Sequence, residues 1–247
     1  MTVFSANLNK VALLRNTRDN GLPDVARITR LCVAAGADGI TVHPRPDERH
    51  TRPGDVRELR LLTRELCVEF NIEGYPTDDF LRLVHEVRPE QCTLVPDAPD
   101  QKTSDHGWDV AAHRELLQRI VPPLRAAGIR VSLFMDPDPA AIPLVSATGA
   151  HRIELYTEPY ARAFPTTDKA GSLAQYAATA DAAHRLGLGV NAGHDLNLDN
   201  LGEFLSRVPH VEEVSIGHAL IADALELGMT EAVRRYVSIC ELPANQH

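Results

Sequence analysis

The stretch Ala35–His50, AGADGITVHPRPDERH, decides how the rest of the chain is read. Ala35-Gly36 has the form of a helix end, Ile40-Thr41-Val42 is a short apolar run that reads as a buried strand, and polar chemistry follows at once. His43, Arg45, Arg49 and His50 fall within eight residues of the end of that strand. Side chains that titrate near neutrality stand beside guanidinium groups suited to gripping anions. The same grammar of helix, glycine, apolar strand and polar tip recurs down the chain. Repetition of this kind implies that the tips share one face, and that face is expected to carry the function.

Working outward from this unit, short apolar runs read as strands at Val3–Leu8, Gly39–Val42, Cys67–Ile72, Cys92–Val95, Ile129–Phe134, Arg152–Tyr156, Gly189–Asn191 and Val214–Ile216. Between them lie helical stripes, such as Val56, Leu59, Leu62 and Leu66, or Leu173, Tyr176, Ala177, Ala180 and His184. Further helices close on glycine before the next strand, at Ala127-Gly128, Thr148-Gly149 and Leu186-Gly187. Eight such units average roughly 31 residues each, the size expected of a (β/α)8 TIM barrel. A doubly wound open sheet is the alternative. It favours a glycine-rich phosphate loop after the first strand, and Ser5–Asn16 contains no glycine. Pro122 and Pro123 fall late in a helical pattern that starts near Asp109, so a kink or break is expected there.

Composition narrows the function. A chain of 247 residues with 44% hydrophobic content and no Pro- or Gly/Ser-rich linker reads as one domain, residues 1–247. No apolar run is long enough for a membrane span, and MTVFSANLNK lacks the apolar core of a signal peptide, so a cytoplasmic location is expected. The cysteines Cys32, Cys67, Cys92 and Cys240 show no CxxC spacing and read as reduced core residues. A net charge of -9 argues against nucleic acid and anionic membranes as partners, but not against small phosphorylated substrates held by a local arginine cluster. Lysine occurs only at Lys10, Lys102 and Lys169, which leaves few candidates for a Schiff base.

In a barrel the C-terminal strand ends point into one mouth. Read off the sequence, they are Asn7 and Asn9, His43, Glu73, Asp136, Glu154, Asn191 with His194, and Gly217-His218. A carboxylate or imidazole ending an apolar strand is costly unless solvated, paired or used. Each alone has a packing or ion-pair explanation; the set together points to acid–base chemistry. Val214–Ala219 ends a strand and opens a helix, so its backbone N–H groups are placed to face an anion, although an ordinary tight turn gives the same pattern. The long polar loop from Asp97 to Trp108 reads either as a lid or as plain surface. No HxH, HExxH or tight carboxylate cluster marks a metal site; His43 with His194 is the remaining metal candidate, and His113, His184 and His210 read as surface or packing residues.

The segments NLNKVALLRNTR, AGADGITVHPRPDERH, FNIEG, QCTLVPD, GIRVSLFMD, RIELYTEPYA, LGLGVNAGHDL and EVSIGHALI, in this order, resemble the pyridoxine 5'-phosphate synthase family over about Asn7–Tyr236. The resemblance implies a cofactor-free (β/α)8 barrel that assembles as a homo-octamer. It also implies condensation of 1-deoxy-D-xylulose 5-phosphate with 3-amino-1-hydroxyacetone phosphate, releasing phosphate and water. By the same resemblance, Glu73 and His43 accept protons, His194 donates one, and Glu154 stabilises charge. Arg45, His50 and Thr103 hold the sugar phosphate, and Asn9 and Lys10 touch the ketose. Asn7, Arg18, Asp195, Gly217 and His218 hold the aminoketone phosphate, with Arg18 reaching a neighbouring subunit.

This chain departs from the family's pattern in having Asn9-Lys10 in place of Asp-His, and Asp195 in place of Gly. A carboxylate at 195 repels phosphate if it faces the pocket, whereas a backbone N–H contact survives the change. Two other functions share this scaffold: an aldolase or isomerase using Lys10 as a Schiff-base lysine, and a non-catalytic phosphate-binding protein.

Overall fold

The computed structural model describes residues 1–97 and 104–242. Its elements run β1 (Val3–Asn7), α1 (Asn9–Arg15), α2 (Val25–Ala34), β2 (Gly39–Val42), α3 (Pro53–Leu66), β3 (Glu69–Gly74), α4 (Asp78–Val87), β4 (Gln91–Leu94), α5 (Arg114–Ala126) and β5 (Arg130–Met135). They continue with α6 (Ile142–Thr148), β6 (Arg152–Leu155), α7 (Glu158–Ala163), α8 (Lys169–Arg185), β7 (Gly189–His194), α9 (Leu201–Arg207), β8 (Val211–Ile216), α10 (His218–Leu227) and α11 (Met229–Glu241). The strands pair in parallel and in sequence order, and β8 closes on β1 through Phe4 opposite Val214 and Ser5 opposite Ser215. This is the (β/α)8 barrel expected from the sequence, not the open sheet.

Local chemistry explains the repeating unit. In α3, Pro53 opens the helix, the Asp55 carboxylate accepts from the Arg52 N–H at 2.7 Å, and Val56, Leu59 and Leu62 are buried. The turns into β2, β5, β6 and β7 pass through Gly36, Gly128, Gly149 and Gly187, all at positive φ, where a side chain would be strained. The stripe on α8 differs from expectation in its last member. Ala183 is buried, while His184 is exposed and stacks on His210 at 3.8 Å between ring centroids.

Two further expectations change. Helix α5 begins at Arg114, because Asp109 closes a turn by accepting from the Ala112 N–H. It then runs unbroken through Pro122 and Pro123. Both prolines are exposed, as are Gln118 and Arg119, whose carbonyls lose their helical donors and can turn to water instead.

The strands alternate sharply. Phe4, Ile40, Phe70, Cys92, Val131, Ile153, Val190 and Val214 face the helices and join one apolar core, each large one contributing roughly 1.5–3 kcal/mol on burial. Their neighbours Ser5, Thr41, Asn71, Thr93, Ser132, Glu154, Asn191 and Glu213 are buried and polar. They bond across the bore: Ser5 with Thr41 at 2.8 Å, Thr93 to Asn71 at 3.2 Å, and Thr93 to Glu154 at 3.1 Å. At the other end Gln91, Asn191 and Arg152 surround Glu213, the last at 3.3 Å. Most barrels fill this space with branched apolar side chains; here the apolar layer between sheet and helices carries the stability.

Candidate active site

The C-terminal strand ends open on a cavity of about 300 Å³. It is lined by Asn7, Asn9, Lys10, His43, Arg45, His50, Glu73, Val95, Ser104, Phe134, Glu154, His194, Asp195, Ser215, Gly217 and His218. Twelve of the sequence-based candidates therefore meet in one space. A larger cavity of about 1200 Å³ lies outward and shares His43 and Arg45; Asp97 lines it too, and much of the rest, such as Arg57, Asp79 and Glu86, is ordinary surface. The candidate acid–base side chains gather in the smaller one.

Glu73 ends β3 with its Oε2 3.8 Å from Nδ1 of His43 and 3.3 Å from the donating Asn7 amide. Burial and the nearby Asp97 charge push its carboxyl up to about 8, against the pull of Asn7 and Arg45. Glu154 is also raised, by burial and then by the charges of Glu73 and Glu213. His43 is held well below the usual imidazole range by burial and by Arg45 and His50. At neutral pH the pair is thus a protonated acid beside a neutral base. Asn9 fixes its geometry, its side-chain oxygen accepting the His43 backbone N–H at 2.7 Å.

Lys10 and Arg45 supply positive charge on one side, with His50 beside them. Arg45 is buried and pairs with Asp97 at 2.5 Å, and Ser104 donates to the same carboxylate oxygen at 2.7 Å. Burial and the charges of Lys10 and Arg45 push His50 down to about 4, so it offers a neutral ring. Burial, Arg49 and Arg45 also lower the Lys10 ammonium. Across the cavity, Gly217 is the N-cap of the ten-residue α10, which has no side-chain cap and so leaves first-turn N–H groups toward the mouth. A Cβ at Gly217 would meet Asn7 Oδ1 at 3.0 Å, so close packing also favours glycine there.

These shifts make stability depend on pH. The folded chain keeps protons on Glu73 and Glu154 that the unfolded chain sheds above 4.5, so their contribution is complete below that pH. It is lost as pH rises, through about 8 for Glu73. The depressed His43 and His50 act oppositely: their contribution is complete above 6.5 and lost at lower pH. The two effects oppose between 4.5 and 6.5, and above 6.5 only the carboxylates remain. From there to pH 8 Glu73 is expected to cost about 1 kcal/mol of stability per pH unit. Urea midpoints across that window should show a flatter slope in Glu73→Gln by that amount; parallel slopes would acquit Glu73.

Not every candidate reaches the cavity. Arg18 is exposed in the turn after α1 and does not line it, and Asp136 is exposed beyond β5. Asn191 is corrected: β7 runs on to His194, so Asn191 sits deep in the bore, bonded to Gln91 and Glu213, and not at the mouth. Thr103, with the 98–103 part of the expected lid, lies outside the described residues. Asp97, Val95, Phe134 and Ser215 were not singled out from sequence. Val95 and Phe134 follow inward Thr93 and Ser132 by two residues, the strand period that would have found them.

Comparison with known proteins agrees with this geometry. The family model described as "Pyridoxal phosphate biosynthesis protein PdxJ" matches residues 4–242. A pyridoxine 5'-phosphate synthase of Allorhizobium ampelinum is 56% identical over 242 residues, covering 96% of this chain and 97% of the relative. One from Porphyromonas gingivalis is 55% identical over 236 residues, covering 96% and 98%. Among solved structures, thiamine phosphate pyrophosphorylase from Pyrococcus furiosus superposes with TM-score 0.60 at 15% identity, covering 97% of this chain and 95% of that one. Tryptophan synthase of Mycobacterium tuberculosis does so with TM-score 0.62 at 11% identity, covering 98% and 93%. The latter two share the fold alone. Matched over nearly its whole length by the family model and by relatives above half identity, the chain belongs to the PdxJ family of pyridoxal phosphate biosynthesis proteins.

Proposed function

We propose that this chain is a pyridoxine 5'-phosphate synthase that condenses 1-deoxy-D-xylulose 5-phosphate with 3-amino-1-hydroxyacetone phosphate. The observation that carries the reading is the meeting, in one cavity, of His194, neutral His43 and protonated Glu73 between two anion-attracting sides. Imine formation, phosphate elimination, ring closure and aromatisation all move protons, and such a cluster supports moving them without cofactor help. His43 takes protons from the attacking amine and, later, from carbon. Glu73, 3.8 Å away, exchanges protons with it and delivers them to oxygen leaving as water. A cationic imine beside Glu73 and Glu154 favours their ionised forms, so Glu73 becomes an acceptor as the reaction proceeds and Glu154 stabilises the charge. His194 serves as a proton donor through Nε2 when it carries a second proton there.

Arg45 and His50, with Thr103, hold the sugar phosphate, and Asn9 and Lys10 approach the ketose. Asn7, Gly217, His218 and the Asp195 backbone hold the aminoketone phosphate. Arg18, exposed and away from its own cavity, fits a contact with a neighbouring copy in a homo-octamer. No described helix is long and apolar enough to cross a membrane, which is in keeping with a cytoplasmic enzyme of a single domain. Purified protein given both substrates is expected to develop a pyridinol chromophore and free phosphate together, and neither substrate alone should suffice. Absence of the chromophore with both present would overturn the reading.

A further inference from the structure

We propose that Asp195 is a positioning residue for His194: its carboxylate accepts a hydrogen bond from Nδ1 at 2.6 Å, which leaves Nε2 as the nitrogen directed to the reacting atoms. The inference rests on the reading of this cavity as a synthase site, and it gives the Asp195 side chain a task distinct from holding phosphate.

Several features fix the pair. His194 closes β7 in the left-handed region, φ 48°, a conformation uncommon for a residue with a side chain. This turns the chain so that two consecutive side chains, 194 and 195, both line the cavity. Tyr156 packs edge-on to the imidazole at 5.3 Å, with Phe134 at 6.4 Å, so the ring has walls as well as a tether. The turn below is anchored by Asn200, almost fully buried, whose amide donates to the Asp195 carbonyl at 3.3 Å.

Charge placement agrees. A carboxylate beside the N-terminus of α10 would repel a phosphate, but here it is engaged by His194 and also faces His218. The hydrogen bond from His194 holds Asp195 below the usual carboxylate range, so it is an anion at neutral pH. Glu154 and His218 line the same cavity, and Tyr156 flanks the ring; its hydroxyl is pushed up to about 12 by burial and by Glu158 and Asp195 and so stays neutral. An imidazole tethered through Nδ1–H keeps a single tautomer, and the partner that sets it is worth roughly 10–100-fold in related arrangements.

The test combines a spectrum with kinetics. Imidazole ¹⁵N spectra of the unliganded protein, recorded where the ring is neutral and assigned with His194→Gln, should show His194 protonated on Nδ1. Asp195→Asn and Asp195→Gly should lose that signature. In turnover both should lower kcat roughly 10–100-fold while KM for the aminoketone phosphate stays within about threefold. A parent His194 protonated on Nε2 would overturn the proposal. So would variants with kcat within about twofold of the parent, or variants with improved KM and unchanged kcat, the mark of a side chain that only repels phosphate. If the parent makes no pyridinol product, the synthase reading fails, and the spectra alone still decide whether Asp195 sets the tautomer.

Discussion

Glu73→Gln is expected to lower turnover by about 10²–10⁴-fold, the usual cost of removing a general acid–base group. Folding should not suffer near neutral pH and should gain: the native carboxyl, pushed up to about 8, must take up a proton on folding there, and glutamine needs none. Glutamine copies that neutral, buried shape and keeps an oxygen for the Asn7 amide. Affinity for inorganic phosphate should also persist, since the cationic Lys10 and Arg45 and the neutral His50 ring are unchanged. Steady-state rates and phosphate titration of the same preparation check both halves. Turnover within a few-fold of the parent would remove Glu73 from the chemistry.

Arg45→Met is expected to lose both stability and sugar-phosphate affinity. Arg45 and Asp97 are 5% and 3% exposed, and their contact is 2.5 Å. Taking away the guanidinium leaves a buried carboxylate with Ser104 as its remaining donor of the two, a change that costs about 3–5 kcal/mol. The lost charge-assisted bond to phosphate adds about 1.5–3 kcal/mol to binding. Pairing it with Asp97→Asn separates the effects: the double variant should regain most of its stability in urea and none of its affinity. A single variant that matches the parent in both measurements would show that Arg45 anchors neither the loop nor the substrate.

The barrel was legible because one unit, Ala35–His50, repeats its grammar, and because the turn glycines at 36, 128, 149 and 187 advertise helix ends. His43, Glu73, Glu154 and His194 stood out as polar groups at the ends of apolar runs, and they do share a cavity. Asn191 misled for a physical reason. A run broken by Asn looks finished, yet β7 continues because Asn191 finds partners inside a polar bore. The Arg45–Asp97 and His194–Asp195 pairings were not readable, because side-chain direction depends on backbone angles such as φ 48° at His194. Of the kink or break expected at Pro122 and Pro123, the break does not occur: both prolines face water, so the carbonyls they leave without donors lie on the solvent side of α5.

The inward polar and outward apolar alternation has a consequence for how the chain finds its fold. Strands of parallel barrels are commonly apolar on both faces, so a pairing shifted by one residue changes little in their burial. Here a one-residue slip of β3 would drive Asn71 and Glu73 against the helices and turn Phe70 and Ile72 into a space lined by Ser5, Thr41 and Thr93. Misregistered intermediates are therefore penalised strand by strand, before the ring closes. The polar bore acts as a proofreading device for assembly, and apolar substitutions within it should broaden the range of misfolded products even where they spare the native state.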